Sequence, residues 1–387
     1  MDLKLYSEIK PLGFDSHQLR MFSDALKDQD AHTVMYPIDL AEQVVLKPDA
    51  TTLRGGFKYG PVAFRQICKY LAPGLSNVLA DLAGMRRVKS ESDRNRFSAA
   101  DAVAVFNMVV RRRFSADLEG LQAVRDTRTG MIEGVVGRGY KRLSNYDLYE
   151  RSAEILRAYR HPVEFHRADL TGRSVVFCYR DVEPAFSLPA PDNKEDRFYT
   201  GYYYSNSEVG DGSVRATTVL IRGSEETRSL GFFAKRARLN HAGKDFAKRF
   251  EQMMDSVAEK RPDADRMKAG LLKLSARPLG FDVATEDERE ERFKTLQHCL
   301  ETNEAARSVS KKVLRSVILR GSHDGLAAPD VRLVDRRKWA DRSAYDLYNA
   351  MGRVARNLPV TTREQVEQLA YSLLLGKLNL RDGEKRG

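Results

Sequence analysis

Apolar residues change their spacing twice along this chain of 387 residues. The early part mixes periods. Residues 16–28 carry a short helical pattern, while TVMYPIDLAEQVVLKPDATTL at 33–53 is β-branched and broken by proline, as strands are. Helices are expected over 61–71 and 75–84. The first opens on Pro61, whose missing N–H costs nothing at the first helical position. Ser98 is placed to cap SAADAVAVFNMVVRRRF, with Asp101 in its first turn and a basic triplet at its end, where the macrodipole favours cations.

From 118 to 222 the period falls to two. LQAVRDTRTGMIEGVVGRGYKRL reads as two strands joined at Thr127–Gly130, and Ser144 or Asn145 caps a helix running to about 158. PVEFHRADL, RSVVFCYRD and RFYTGYYYS then alternate as strands, with VRATTVLIR as the return strand of a hairpin through SNSEVGDG. That hairpin is a bend first: Asn206 and Ser207 are suited to satisfying backbone groups, and Gly210-Asp211-Gly212 to the tight turn. After 240 the chain turns helical. Phe246, Phe250, Met253 or Met254, and Val257 keep helical spacing, and Thr285–Glu288 and Thr361–Glu364 form capping boxes. The fold class is therefore α+β: a twisted antiparallel sheet of five or six strands with flanking helices and a helical C-terminal region. Residues 1–245 form the mixed domain and 246–387 the helical part.

The charge then matters. Sixty-five basic residues against 54 acids give a net charge of +11, an excess that attracts polyanions. It is clustered. Arg111, Arg112 and Arg113 form one run; Arg138, Lys141 and Arg142 crowd a turn; Lys235, Arg236 and Arg238 form a third group. Between Ala305 and Ser322 there are five basic residues and no acid, and Arg307, Lys311 and Arg315 make a stripe beside Ala306, Val309, Val313 and Val317. Each cluster also has a plainer reading, as dipole complement or solvated helix face.

Chemistry is harder to find. The chain lacks GxxxxGK[ST], HExxH, CxxC and GxSxG, and GVVGRGY lacks the spacing of a dinucleotide loop. His161 and His166 flank Glu164 on a strand, which reads as exposed residues and not a metal site. Glu208 and Asp211 are too few carboxylates for an oxygen-ligand site. Ser205 has no histidine nearby in sequence to activate it. The three cysteines are far apart, which suits a reducing cytosol. No apolar run reaches the roughly 20 residues a bilayer span needs, and the N-terminus has no secretory pattern. No cofactor, metal or catalytic residue is expected.

FKYGPVAFRQICKYL, GVVGRGYKRLSNYDLYE, YYYSNSEVGDGSVRATTVLIR and SAYDLYNAMGRVAR occur in that order over roughly residues 55–356. Together they resemble the phage/plasmid-like protein family, domain of unknown function 932. The matching positions are Tyr140, Leu143 and Asn145, then Asn206, Ser207, Glu208 and Gly210, then Tyr345, Leu347, Asn349 and Ala350. Where the family places a Cys-x-Asn-Gly element after its hairpin, this chain has GSEETRSLGFFAKRARLNH. The resemblance implies a mobile-element origin, with work in the host cytoplasm, and by association a role in DNA handling.

The expectation is a non-enzymatic nucleic-acid-binding protein of phage or plasmid origin, acting on single-stranded DNA or its annealing, as a homo-oligomer without a membrane partner. Arg111–Arg113, Arg138, Lys141, Arg142, Lys235, Arg236, Arg238, Arg307, Lys311 and Arg315 would contact phosphates, with Tyr140, Tyr202 and Tyr204 stacking on bases. The alternative is a phage structural or assembly protein associated with the virion. An enzyme would need His161, His166 or His241 to meet Ser205 or Glu208.

Overall fold

The computed structural model describes residues 16–38, 43–49, 51–71, 99–112, 120–159, 162–189, 195–223, 236–260, 263–280, 285–301, 343–356 and 360–374, with residues 307, 309–311, 313, 314 and 358. The expected helix at 75–84, Ser98, Arg113, His161, Lys235 and Arg315 lie outside them. The fold is α+β, built on two antiparallel sheets.

The smaller sheet has three strands in the order β1-β2-β3. They are β1 (Thr33–Pro37), β2 (Gln122–Asp126) and β3 (Ile132–Val136), preceded by helix α1 (Ser16–Ala31). Of the strands expected across 33–53, the described residues form β1 alone. Beyond it, isolated bridges such as Leu46↔Thr52 hold an irregular segment. Gly130, at a φ of 69°, closes the β2–β3 turn, and its N–H donates to the Asp126 carbonyl. Helices α2 (Pro61–Leu71) and α3 (Ala99–Arg112) cover one face. Phe64, Ile67, Phe106 and Val110 pack there with Ala123, Ile132 and Val135.

The larger sheet has six strands. It comprises β4 (Val163–Thr171), β5 (Ser174–Asp181), β6 (Phe186–Pro189), β7 (Glu195–Ser207), β8 (Val214–Arg222) and β9 (Arg236–Leu239). The path is β4-β5-β7-β8-β9, with β6 beside the start of β7. On one face Phe165, Phe177, Tyr202, Tyr204 and Ala216 meet α1, helix α4 (Asn145–Ala158) and helix α5 (Phe246–Ala258). Ser144 caps α4, its hydroxyl accepting from the Asp147 N–H at 2.9 Å.

The alternation along β7 is as the period predicts, but both faces are buried. Tyr199 and Tyr203 pack on the second face with Val176, Cys178, Val219 and Ile221. No open aromatic face is left. Gly201, between them, faces β5 so closely that a Cβ there would overlap the Tyr179 carbonyl oxygen.

Helices α6 (Ala264–Ser275), α7 (Glu286–Glu301), α8 (Ala344–Arg356) and α9 (Val360–Leu374) gather around Leu188, Phe198 and Leu220. Helix α5 belongs instead to the core of the large sheet. The Thr285–Glu288 capping box forms, with reciprocal bonds of 3.0 and 3.3 Å. Thr361 lies inside α9, which starts at Val360.

Candidate nucleic-acid interface

The β7–β8 loop is more than a bend: it joins the two sheets. Val209 at its tip packs on Val124 and Val136, with Val62 of α2 beside them. Gly134 makes room, since a Cβ there would sit 2.6 Å from that of Val209. Gln66 of α2 clamps both partners, donating to the Val209 carbonyl and accepting from the Val135 N–H, each at 2.7 Å.

Beneath the tip lies a polar core. Glu208 is fully buried, and its carboxylate accepts from the Asn145 N–H at 2.6 Å and from Arg142 at 3.2 Å. Asn206 donates to the Leu143 carbonyl at 2.8 Å and to the Asn145 side chain at 3.0 Å, and Asn145 donates to Gln29 of α1. Arg173, in the β4–β5 turn, reaches Thr33 and donates to Asp126 at 2.7 Å. Burial pushes the Glu208 carboxyl up, against the pull of Arg142, the Asn145 N–H and Arg173. Burial opposes ionisation of Asp126 too, but Arg128 and Arg173 hold its carboxyl at about 2. The motif around Asn145 and the one around Asn206 and Glu208 thus meet as structural groups. Asn349 of the last motif is also internal, accepting from Arg222 at 2.8 Å.

Cations decorate the rim of this joint. The segment carrying Arg138, Lys141 and Arg142 is pinned to the end of β9: Tyr140 bridges to Ala242, and the Lys141 N–H donates to the His241 carbonyl at 2.8 Å. Two clusters about a hundred residues apart are thereby brought together. Arg138, Lys141 and Arg238 are exposed, and among the described residues no carboxylate pairs with them. Only the backbone position of Arg236 is described, opposite Thr217.

Other candidates are placed elsewhere. Arg142 is spent internally, pairing with Asp30 and Glu208, so its assignment as a phosphate contact is corrected. Arg111 and Arg112 are exposed at the end of α3, on the helix layer of the small sheet and not on β9. Arg307 and Lys311 are exposed near buried Val309 and Val313 of the C-terminal core. Lys311 helps hold the Glu301 carboxyl low, after hydrogen bonds from Gln297 and Ser310.

The stacking assignments do not survive. Tyr202 and Tyr204 are 2% and 0% exposed, because alternate residues of β7 face a helix-covered core. Tyr140 stacks on His241 with centroids 4.8 Å apart, its hydroxyl donates to the Ser207 carbonyl, and Gly210 crowds its edge. Its ring is committed to the joint, and burial raises its phenol well above the ordinary value.

His166 is not the exposed strand residue expected. A register shift in the β4–β5 pairing turns it inward, where it lines a cavity of about 20 Å³ with Arg167, Cys178, Tyr203 and Glu367. Burial, then Arg180 and Arg167, lowers its pKa to about 3. Unfolded chain therefore takes up a proton below the ordinary histidine value near 6.5 while folded chain does not. Stability should fall as pH drops from about 6.5 towards 3, by up to roughly 1.4 kcal/mol per pH unit from this one group. Urea midpoints for wild type and His166→Leu across that range check this: the variant should show a shallower loss, and parallel curves would refute it. Neither His166 nor His241 hydrogen-bonds to Ser205 or Glu208; the His241 ring contacts the Lys141 carbonyl at 2.9 Å. Among the described residues no three His, Cys, Asp or Glu side chains cluster to hold a metal. No described helix is long and apolar enough to cross a membrane.

No family model, curated protein or solved structure shows a significant match to the chain.

Proposed function

We propose that this protein binds nucleic acid without chemistry, holding the phosphate backbone along the β9 rim. The observation that carries the reading is the pinning of the Arg138–Lys141 turn to the chain just after β9. It brings exposed Arg138 and Lys141 to the segment that follows exposed Arg238, and among the described residues no carboxylate pairs with any of the three. The net charge of +11 adds a long-range attraction for a polyanion. With Tyr202 and Tyr204 buried and the Tyr140 ring stacked on His241, the rim contacts charge and not bases, so binding is independent of sequence. Single-stranded DNA, and its annealing by a homo-oligomer, is the finer form of the proposal. A phage or plasmid origin and work in the host cytoplasm rest on the motif resemblance.

Fluorescence anisotropy with labelled single- and double-stranded oligonucleotides tests the reading. Affinity should fall log-linearly between about 50 and 200 mM salt. The triple variant Arg138→Glu, Lys141→Glu, Arg238→Glu should bind at least ~10-fold more weakly, with the salt slope reduced by about two. A flat salt response in the wild type rejects the mechanism.

A further inference from the structure

We infer that the cavity under the β4 bulge holds one ordered water molecule, hydrogen-bonded to His166 and Glu367, that ties the second face of the large sheet to helix α9. The inference is independent of the nucleic-acid reading. In the β4–β5 register Phe165 faces Tyr179 and Arg167 faces Cys178, so His166 is the extra residue of a bulge. Bulges re-aim side chains, and this one turns the imidazole onto the second face. There it lines a cavity of about 20 Å³ with Arg167, Cys178, Tyr203 and Glu367. His166 is 6% exposed, and its Nε2 is enclosed without a hydrogen-bond partner among the described residues.

Volume and wall chemistry together select the occupant. One water needs roughly 10–15 Å³ of room and two to four polar partners, whereas cavities with only apolar walls stay dry. A volume of about 20 Å³ admits a water and no organic ligand. Imidazole Nε2 donates or accepts according to its tautomer, and water can answer either. Glu367 is 4% exposed, and a carboxylate accepts about four hydrogen bonds, so it can take one from water beside its other contacts. The walls carry both the Arg167 cation and the Glu367 carboxylate, so a neutral molecule fits better than an ion of either sign. His166 itself stays neutral, since burial, Arg180 and Arg167 oppose its protonation. The bridge extends a polar seam between the same two elements. Arg363 of α9 donates to Asp169 of β4 at 2.7 Å, and Asp169 also meets Arg167 at 3.3 Å.

Nuclear magnetic resonance of the full chain, with labelled valine and isoleucine methyls, tests this. Val219 and Ile221 line the cavity and are 0% exposed, so bulk solvent does not reach them. Cross-peaks from water to their methyls are expected, with the sign of a long-lived contact. They should persist in Tyr203→Phe, which removes a hydroxyl able to relay exchange, and in Glu367→Gln, which keeps an acceptor oxygen. They should vanish in Glu367→Leu. Thermal unfolding first identifies the variants that remain folded. Absence of the cross-peaks in wild type, or their loss in folded Tyr203→Phe, overturns the inference, and their survival in folded Glu367→Leu removes the link to α9. A crystal structure that resolves ordered solvent decides the bridge without any variant. A water within about 3.2 Å of both the His166 Nε2 and the Glu367 carboxylate is expected, and a peak beside only one of them, or none, refutes it.

Discussion

Glu208→Ala should destabilise the protein by about 3–5 kcal/mol, the cost of removing one member of a buried charge pair. The carboxylate is fully buried, and its two oxygens serve different elements. One accepts from the Asn145 N–H at the start of α4, and the other meets Arg142, which also reaches Asp30 of α1. With the side chain gone, the Asn145 N–H loses its acceptor and Arg142 keeps a single exposed-side partner. Burial pushes the Glu208 carboxyl up, and Arg142, the Asn145 N–H and Arg173 oppose that rise. Glu208→Gln should cost less, since an amide oxygen still accepts from Asn145. Urea unfolding followed by circular dichroism gives the comparison. An alanine variant within about 1 kcal/mol of wild type would mean that the joint does not hold the sheets together.

Gly201→Val is the second large effect. Gly201 pairs with Arg180 on one side and Val219 on the other, at the centre of the large sheet. Its missing Cβ position is occupied by the Tyr179 carbonyl oxygen and crowded by Ile221. A backbone oxygen in a sheet cannot swing aside as a side chain can. The substitution therefore has to part β5 from β7, disrupting ladder bonds and the packing of Tyr202 and Tyr203 together. A loss of about 4 kcal/mol or more is expected, enough to leave little folded protein. Soluble yield and the near-ultraviolet signal of the buried tyrosines report it. Gly201→Ala should already show most of the loss, and a native-like alanine variant would contradict the close approach.

Much of the large sheet was legible in the amino-acid order alone. Period two through RSVVFCYRD, RFYTGYYYS and VRATTVLIR placed the strands of the large sheet, because alternation follows directly from the pleat. Ser144 and the Thr285–Glu288 box marked helix starts because capping is local. The segment at 33–53 was legible only in part: β-branched residues signal extended chain but not a pairing partner, and only Thr33–Pro37 finds one in β2.

Side-chain exposure was the less legible half. Tyr202 and Tyr204 carry the same pattern whether their face meets a nucleic acid or a helix, and the helices that cover them come from α1, α4 and α5. Arg142 sits beside Lys141 in a basic turn, yet one is spent on Glu208 and the other is exposed. Glu208 reads as a loop carboxylate, and no local signal reveals that a loop tip will be inserted between two sheets. A buried histidine at 166 depends on a shift in strand register, which alternation alone does not foretell.

The amino-acid order, then, determined the period of each segment, most helix starts, the fold class and the excess of positive charge, since these depend on neighbours within a few residues. Tertiary structure decided which face of each strand is sealed, which arginines are neutralised and which cations share a rim. Those outcomes depend on contacts between residues such as Arg142 and Glu208, or Lys141 and His241, that lie some 65 to 100 positions apart. Burial and charge pairing are properties of the assembled surroundings and have no local code.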